Sequence, residues 1–362
     1  MQQTAKPKGL AKIWREVKRP FRQVCGITVS IVSKIRREVK RPFRQIYSGT
    51  DTLYHYTRRK LSGLTPEQYI ANKNYLSFAQ ERDKAYSSAF YIRDDGRVHF
   101  PQCETDIVLG CNLRCHGCSR YSPWRKGFVP TEKIVQWFET WHQKIHVDNF
   151  RLLGGEPFLH PDLESVLLES RRIWNDSTLE IITNGMLIHQ ASQSVVDALK
   201  RAGIKVIISE HSDAPLSREK IIVARARLEE NGIPYQVWLV NNIWLAEYQL
   251  NKDGIPIPFQ CSPHKAHKIC VQKRCIVLMN NKLYKCAQLY SIIEGVNEGA
   301  LSSKHWKNAL TYNPLSPDAD AAEISKHFRS AAIKECSICP SKRIFIEPRQ
   351  MPSLSQLNHC NK

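Results

Sequence analysis

Residues 105–118, TDIVLGCNLRCHGC, decide how this chain is read. Residues 105–109 form a short apolar run of strand character. Gly110 breaks it just before three thiols, Cys111, Cys115 and Cys118, that share one loop. A C-x3-C-x2-C loop can ligate three corners of a cubane iron-sulfur cluster. A closed cluster takes four thiolates, so one iron would stay open to a substrate or cofactor. The competing use is zinc, with His116 completing a closed tetrahedral site.

Working outward, residues 150–153 read as a second strand running into Gly154, Gly155, Glu156 and Pro157, with a helix from 161 towards 174. Glycines at a strand's carboxyl end permit close backbone approach, and a carboxylate beside them can accept hydrogen bonds from a ligand's ammonium group. A third strand over 179–183 ends in Asn184-Gly185, a fourth over 205–209 ends in Glu210-His211-Ser212, and a fifth spans 235–240. Helical patterns over 132–145, 192–201 and 217–230 lie between them. Strand and helix alternate, which predicts an α/β fold, a parallel barrel or open sheet, with ligands at the carboxyl ends of the strands.

Taken together, the three-cysteine loop, GGEP at 154–157 and ITNG at 182–185 closely resemble the radical S-adenosylmethionine (SAM) enzyme superfamily. The resemblance implies a partial (β/α)6 radical SAM barrel over 104–255. Cys111, Cys115 and Cys118 would hold a 4Fe-4S cluster whose open iron is chelated by the amino and carboxylate groups of S-adenosylmethionine. Gly154, Gly155 and Glu156 would contact the methionine amino group, and Thr183 and Asn184 would lie near the ribose or carboxylate. Ser209 and His211 are further candidates for that pocket. Many members place an aromatic residue where this chain has Gly117, so the adenine contact would fall to another side chain. An electron donor such as flavodoxin or ferredoxin would reduce the cluster. The resulting 5′-deoxyadenosyl radical would abstract hydrogen from substrate, while the protein orients the cofactor and excludes water.

From residue 260 onward the alternation stops and seven of the twelve cysteines follow. Residues 276–279 and 282–285 flank Asn280-Asn281, a pair suited to a two-residue hairpin that would bring Cys275 and Cys286 together at its base. Cys336 and Cys339 form C-x2-C, a spacing that serves zinc or iron-sulfur. This region, 256–362, resembles a small cysteine-rich α+β domain, the twitch or SPASM extension of the same superfamily. That likeness implies one auxiliary 4Fe-4S cluster on Cys275, Cys286, Cys336 and Cys339, with Cys270 able to replace one of them. Cys261, His264, His267 and Cys270 recur every third residue, an alternative Cys2His2 site on a helical face, although Lys265 and Lys268 beside Pro263 favour an exposed loop. Cys25 and Cys103 read as ordinary thiols, and Cys360 as a late ligand or none.

The chain carries 53 Lys and Arg against 34 Asp and Glu. Residues 1–50 hold thirteen of those cations against Glu16 and Glu38, and REVKRPFRQ at 15–23 recurs at 37–45. Each copy can form a basic amphipathic helix, so this helical arm is expected to be solvated or to touch an anionic membrane surface. Nucleic acid is not favoured, because no recognition module accompanies the cations. Residues 51–103 read as a connecting segment. No apolar run is long enough to span a membrane or act as a secretory signal. Cytoplasmic residence is expected, with peripheral contact at the inner membrane surface, where thiols stay reduced and serve as ligands.

The run CSRYSP at 118–123 is similar to superfamily members associated with surface-polysaccharide and glycosyl-transfer genes, which points to a sugar-like substrate or polysaccharide precursor. Maturation of a peptide or protein side chain is the enzymatic alternative. A non-catalytic iron-sulfur or zinc binding protein is the alternative of another class, and it leaves GGEP without a purpose.

Overall fold

The computed structural model describes residues 63–210, 215–239, 244–273, 275–329 and 332–346. The basic arm and its repeat, Cys25, His211 and Cys360 lie outside the described residues. Contacts divide the chain into Met1–Tyr69 and Ile70–Lys362, and the sites described below belong to the second unit.

Helix α1 (Pro66–Ala85) precedes the sheet in sequence. Its first turn is closed by a capping box: the Thr65 hydroxyl accepts from the Gln68 amide, and the Gln68 side chain accepts from the Thr65 amide, each at 3.2 Å. Sequence reading assigned this helix to a connecting segment.

Five strands, β1 (Val98–Val108), β2 (Ile145–Gly154), β3 (Thr178–Thr183), β4 (Lys205–Glu210) and β5 (Tyr235–Leu239), pair in parallel in chain order. Helices α2 (Thr131–His142), α3 (Leu163–Ile173), α4 (Gln193–Arg201) and α5 (Pro215–Glu230) fill the connections, as parallel pairing requires. Helix α2 buries Ile134, Trp137, Phe138 and Trp141, the i, i+3, i+4, i+7 stripe of a one-sided helix. Phe138 meets Phe150 edge-on at 4.9 Å, and Phe150 stacks on Trp174 at 4.5 Å. Ser192 caps α4 by accepting the Val195 amide.

Three boundaries and one count differ from the sequence reading. Strand β1 begins at Val98 rather than 105. Val98 and Phe100 are buried on one parity and Cys103, Thr105 and Ile107 on the other, so the switch near Pro101 hides the period of two. Helix α2 ends at His142, not 145, because Ile145 and Val147 already alternate with His146 and Asp148 as β2. The expected loop around Lys265 and Lys268 is helix α6 (Pro263–Ile269), with Pro263 in its first turn. A sixth strand beside β5 is not seen among the described residues. Instead β6 (Trp244–Leu245) pairs antiparallel with β11 (Phe345–Ile346), and β7 (Gln249–Leu250) with β8 (Pro256–Ile257). Among the described residues the βα alternation thus supplies five parallel strands, β1 to β5, in a mixed α/β fold, and a sixth parallel strand comes from the later region on the far side of β1.

The hairpin of β9 (Val277–Met279) and β10 (Lys282–Tyr284) joins the same sheet on the far side of β1, with Glu104 opposite Val277 in parallel. The Thr105 hydroxyl locks this contact by donating to the Leu278 carbonyl at 2.8 Å. Asn280 and Asn281 have φ of 50° and 54°, the double left-handed turn that two-residue hairpins need. Helices α7 (Ala287–Asn297) and α8 (Ala321–Arg329) complete the later part. No helix among the described residues is long and apolar enough to cross a membrane.

Candidate functional site

The cysteine loop leaves the carboxyl end of β1 and lies directly on the end of β2. The Gly155 amide donates to the Val108 carbonyl at 2.8 Å, and the Glu156 amide to the Gly110 carbonyl at 3.0 Å. A Cβ on Gly154 would stand 2.0 Å from the Val108 oxygen, and one on Gly155 1.8 Å from the Gly110 oxygen. Both positions must therefore lack a side chain, or the loop that carries Cys111 moves. Here the glycines serve protein-to-protein packing, a role that the ligand-contact reading did not anticipate.

Glu156 is fully buried. Its carboxylate accepts from the Thr183 hydroxyl at 2.6 Å, the Asn184 amide at 2.9 Å and the Phe158 amide at 3.1 Å. Burial pushes its pKa up to about 7, against the pull of those three donors. Both oxygens are engaged, so the side chain braces the end of β2 to the end of β3. Asn184 continues the brace: its Nδ2 donates to Asn112 Oδ1 at 2.7 Å and contacts Cys111 Sγ at 3.7 Å. Thr183 and Asn184 are thereby brought to the cysteine loop. Ser209, also buried, sits one strand over, opposite Trp238 on β5.

Burial pushes the Cys111 thiol up to about 12, and the charges of Glu156, Cys118 and Cys115 add to that. A metal or cluster held there would take these cysteines as thiolates. Among the described residues no three His, Cys, Asp or Glu side chains close on a single ion. A four-iron cluster places its thiolates on separate corners, so the all-thiol donor set suits it better than a lone zinc. Gly117 has a φ of +81°, and Ile346 and Trp244 pack where its side chain would be.

The strand face opposite the helices is polar, a feature the sequence reading missed. Register aligns Glu104, Arg151, Glu180 and Lys205 across β1 to β4, alternating in sign. Arg151 pairs with Glu180 at 2.8 Å and lies over the Trp238 ring. Arg120, two residues past Cys118, is buried against Glu104 at 2.6 Å and Asp106 at 3.3 Å. The available signal was two acids, Glu104 and Asp106, inside an otherwise apolar strand.

In the later region, Cys270, Cys286, Cys336 and Cys339 line a cavity of about 130 Å³ together with Lys285, Gln288 and Glu335. Cys275 is buried and close enough for its charge to act on Cys270 and Cys286, but it is not on the cavity wall. The hairpin thus brings five thiols together rather than four. The Cys2His2 alternative is divided: Cys270 and His267 line this cavity, while Cys261 and His264 are not on its wall. Cys103 is a fully buried thiol of the core.

Residues 106–255 match the Radical SAM superfamily, a superfamily of enzymes. The GTP 3',8-cyclase of Aquifex aeolicus is 31% identical over 127 residues, which span 33% of this chain and 38% of that protein. The human molybdenum cofactor biosynthesis protein 1 is 28% identical over 141 residues, 37% of this chain and 21% of that protein. The chain thus spans well under half the length of these curated relatives. Among solved structures, BtrN in complex with AdoMet and 2-DOIA is similar over 68% of this chain and 98% of its own, at 15% identity and a TM-score of 0.37. Streptococcus suis SuiB bound to precursor peptide SuiA covers 48% of this chain and 38% of its own, at 18% identity and a TM-score of 0.32.

Proposed function

We propose that the protein is a radical SAM enzyme acting on a sugar-like or polysaccharide-precursor metabolite. Cys111, Cys115 and Cys118 would hold a 4Fe-4S cluster with one iron open to S-adenosylmethionine. When bound, this pair supplies a 5′-deoxyadenosyl radical that abstracts hydrogen from an unactivated carbon. The observation that carries the reading is the seating of GGE on the cysteine loop, through the Gly155–Val108 and Glu156–Gly110 backbone bonds. That contact, with the Glu156–Thr183–Asn184 brace, keeps the loop and the ends of β2 and β3 in one rigid rim. Because the Glu156 side chain is committed inward, the ammonium group of S-adenosylmethionine would be received by backbone carbonyls of the same turn. The missing aromatic at Gly117 would be made good by Trp244, which packs against that position.

A sugar-like substrate is supported by the CSRYSP run at 118–123. A second 4Fe-4S cluster would sit in the later cavity. Its four wall thiols, Cys270, Cys286, Cys336 and Cys339, are favoured as ligands over the set that includes Cys275. Electrons would come from a flavodoxin or ferredoxin.

The test is anaerobic. The protein is loaded with iron and sulfide and given dithionite and S-adenosylmethionine, with Cys115→Ala as control. Formation of 5′-deoxyadenosine that the substitution abolishes supports the reading, and its rate should rise with a nucleotide sugar rather than with peptides. Fully loaded protein that makes none would contradict it.

A further inference from the structure

Tyr248, in the turn between β6 and β7, is buried beside the cysteine loop. Its hydroxyl oxygen accepts the amide proton of Gly117 at 3.1 Å, one residue before Cys118. A phenol that accepts one hydrogen bond still has its own proton to donate, and among the described residues no protein acceptor takes it. Burial raises the proton affinity of Tyr248 most, the charge of Cys118 comes next, and the charges of Glu247 and Cys115 add to it. The hydroxyl is thus an O–H donor held at the sulfur end of the loop.

The ring cannot swing away. Tyr121 packs on it with centroids 4.8 Å apart, and Trp124 meets it edge-on at 5.9 Å. Tyr121 is fixed in turn: its amide donates to the Cys118 carbonyl at 3.1 Å and its hydroxyl to Gln288 Oε1 at 3.0 Å, while its φ is 56°. Gln288 donates on to Glu247. A chain of contacts therefore runs from α7, next to Cys286, to the hydroxyl beside Cys118.

We propose that Tyr248 donates a hydrogen bond to a sulfur of the group held by Cys111, Cys115 and Cys118, and so raises its reduction potential. This rests on the reading that those thiols hold a 4Fe-4S cluster. Reduction adds negative charge to the sulfurs, so a donor aimed at them stabilises the reduced form more than the oxidised form. The effect is on ease of reduction, not on iron binding.

The experiment is a potentiometric titration followed by electron paramagnetic resonance, using the signal that changes when S-adenosylmethionine is added. Tyr248→Phe keeps the ring and removes the hydroxyl. The expected result is unchanged iron content with a potential shifted to more negative values. Placing 3,5-difluorotyrosine at position 248, a stronger donor of similar size, should shift it the other way. If Tyr248→Phe loads iron poorly, the fluorinated variant decides alone. Normal iron with equal potentials in all forms overturns the proposal and leaves the cluster reading intact. A wild-type protein that forms no cluster at these cysteines overturns that reading, and the proposal with it.

Discussion

The amide of Glu156 donates to the carbonyl of Gly110 across 3.0 Å, joining the last residue of the GGE turn to the residue that precedes the first cysteine. The loop that presents Cys111 is therefore positioned by the backbone of β2, and the two motifs, forty-five residues apart, act as one element.

Gly155→Ala tests this directly. Its Cβ would collide with the Gly110 oxygen, so the turn and loop must separate at a cost of at least about 2 kcal/mol. Thermal unfolding of the metal-free protein should show the loss, and iron uptake under anaerobic loading should fall several-fold.

Glu156 predicts a pH dependence. Its pKa in the fold is raised from 4.5 to about 7, so the folded state holds a proton that the unfolded chain has already released. The contribution is full below pH 4.5 and is lost as pH rises through 7, amounting to about 3 kcal/mol at 1.36 kcal/mol per unit. Urea denaturation of the metal-free protein at pH 5 and pH 8 should show stability falling with pH. Glu156→Gln should flatten that slope.

The later cysteines separate by substitution. Cys270→Ala should remove the second cluster, taking iron from about eight to about four per chain, while Cys275→Ala should leave it near eight. The reverse pattern would restore the ligand set read from the hairpin base.

Asn281→Gly should stabilise the protein by up to about 1 kcal/mol. It relieves a left-handed φ of 54° and removes a buried side-chain oxygen that has no partner. Asn280→Ala should destabilise it, because it also loses the 2.6 Å bond from Asn280 to Glu294. Chemical denaturation distinguishes the two.

Much of the frame was legible. Strands β2 to β5 ended near where polar residues cluster in the sequence, because those residues stop an apolar run and face the rim. The Asn280-Asn281 turn was legible because only a few side chains tolerate its backbone. Strand β1 was hidden by its parity change near Pro101, and α1 by a composition rich in polar residues, although its capping box stood in the sequence. The role of Tyr248 could not be read, since the Gly117 amide that it accepts lies 131 positions away. The charge row from Glu104 to Lys205 was illegible for a similar reason: it exists only in the register of four strands.

The most direct test of the central claim is spectroscopic. The reduced, iron-loaded protein with Cys270→Ala, Cys336→Ala and Cys339→Ala loses three of the four thiols that line the later cavity, and its electron paramagnetic resonance is recorded with and without S-adenosylmethionine. The account predicts a 4Fe-4S signal that changes on addition and disappears with Cys111→Ala. A signal that S-adenosylmethionine leaves unaltered, or one that survives the loss of Cys111, would contradict it.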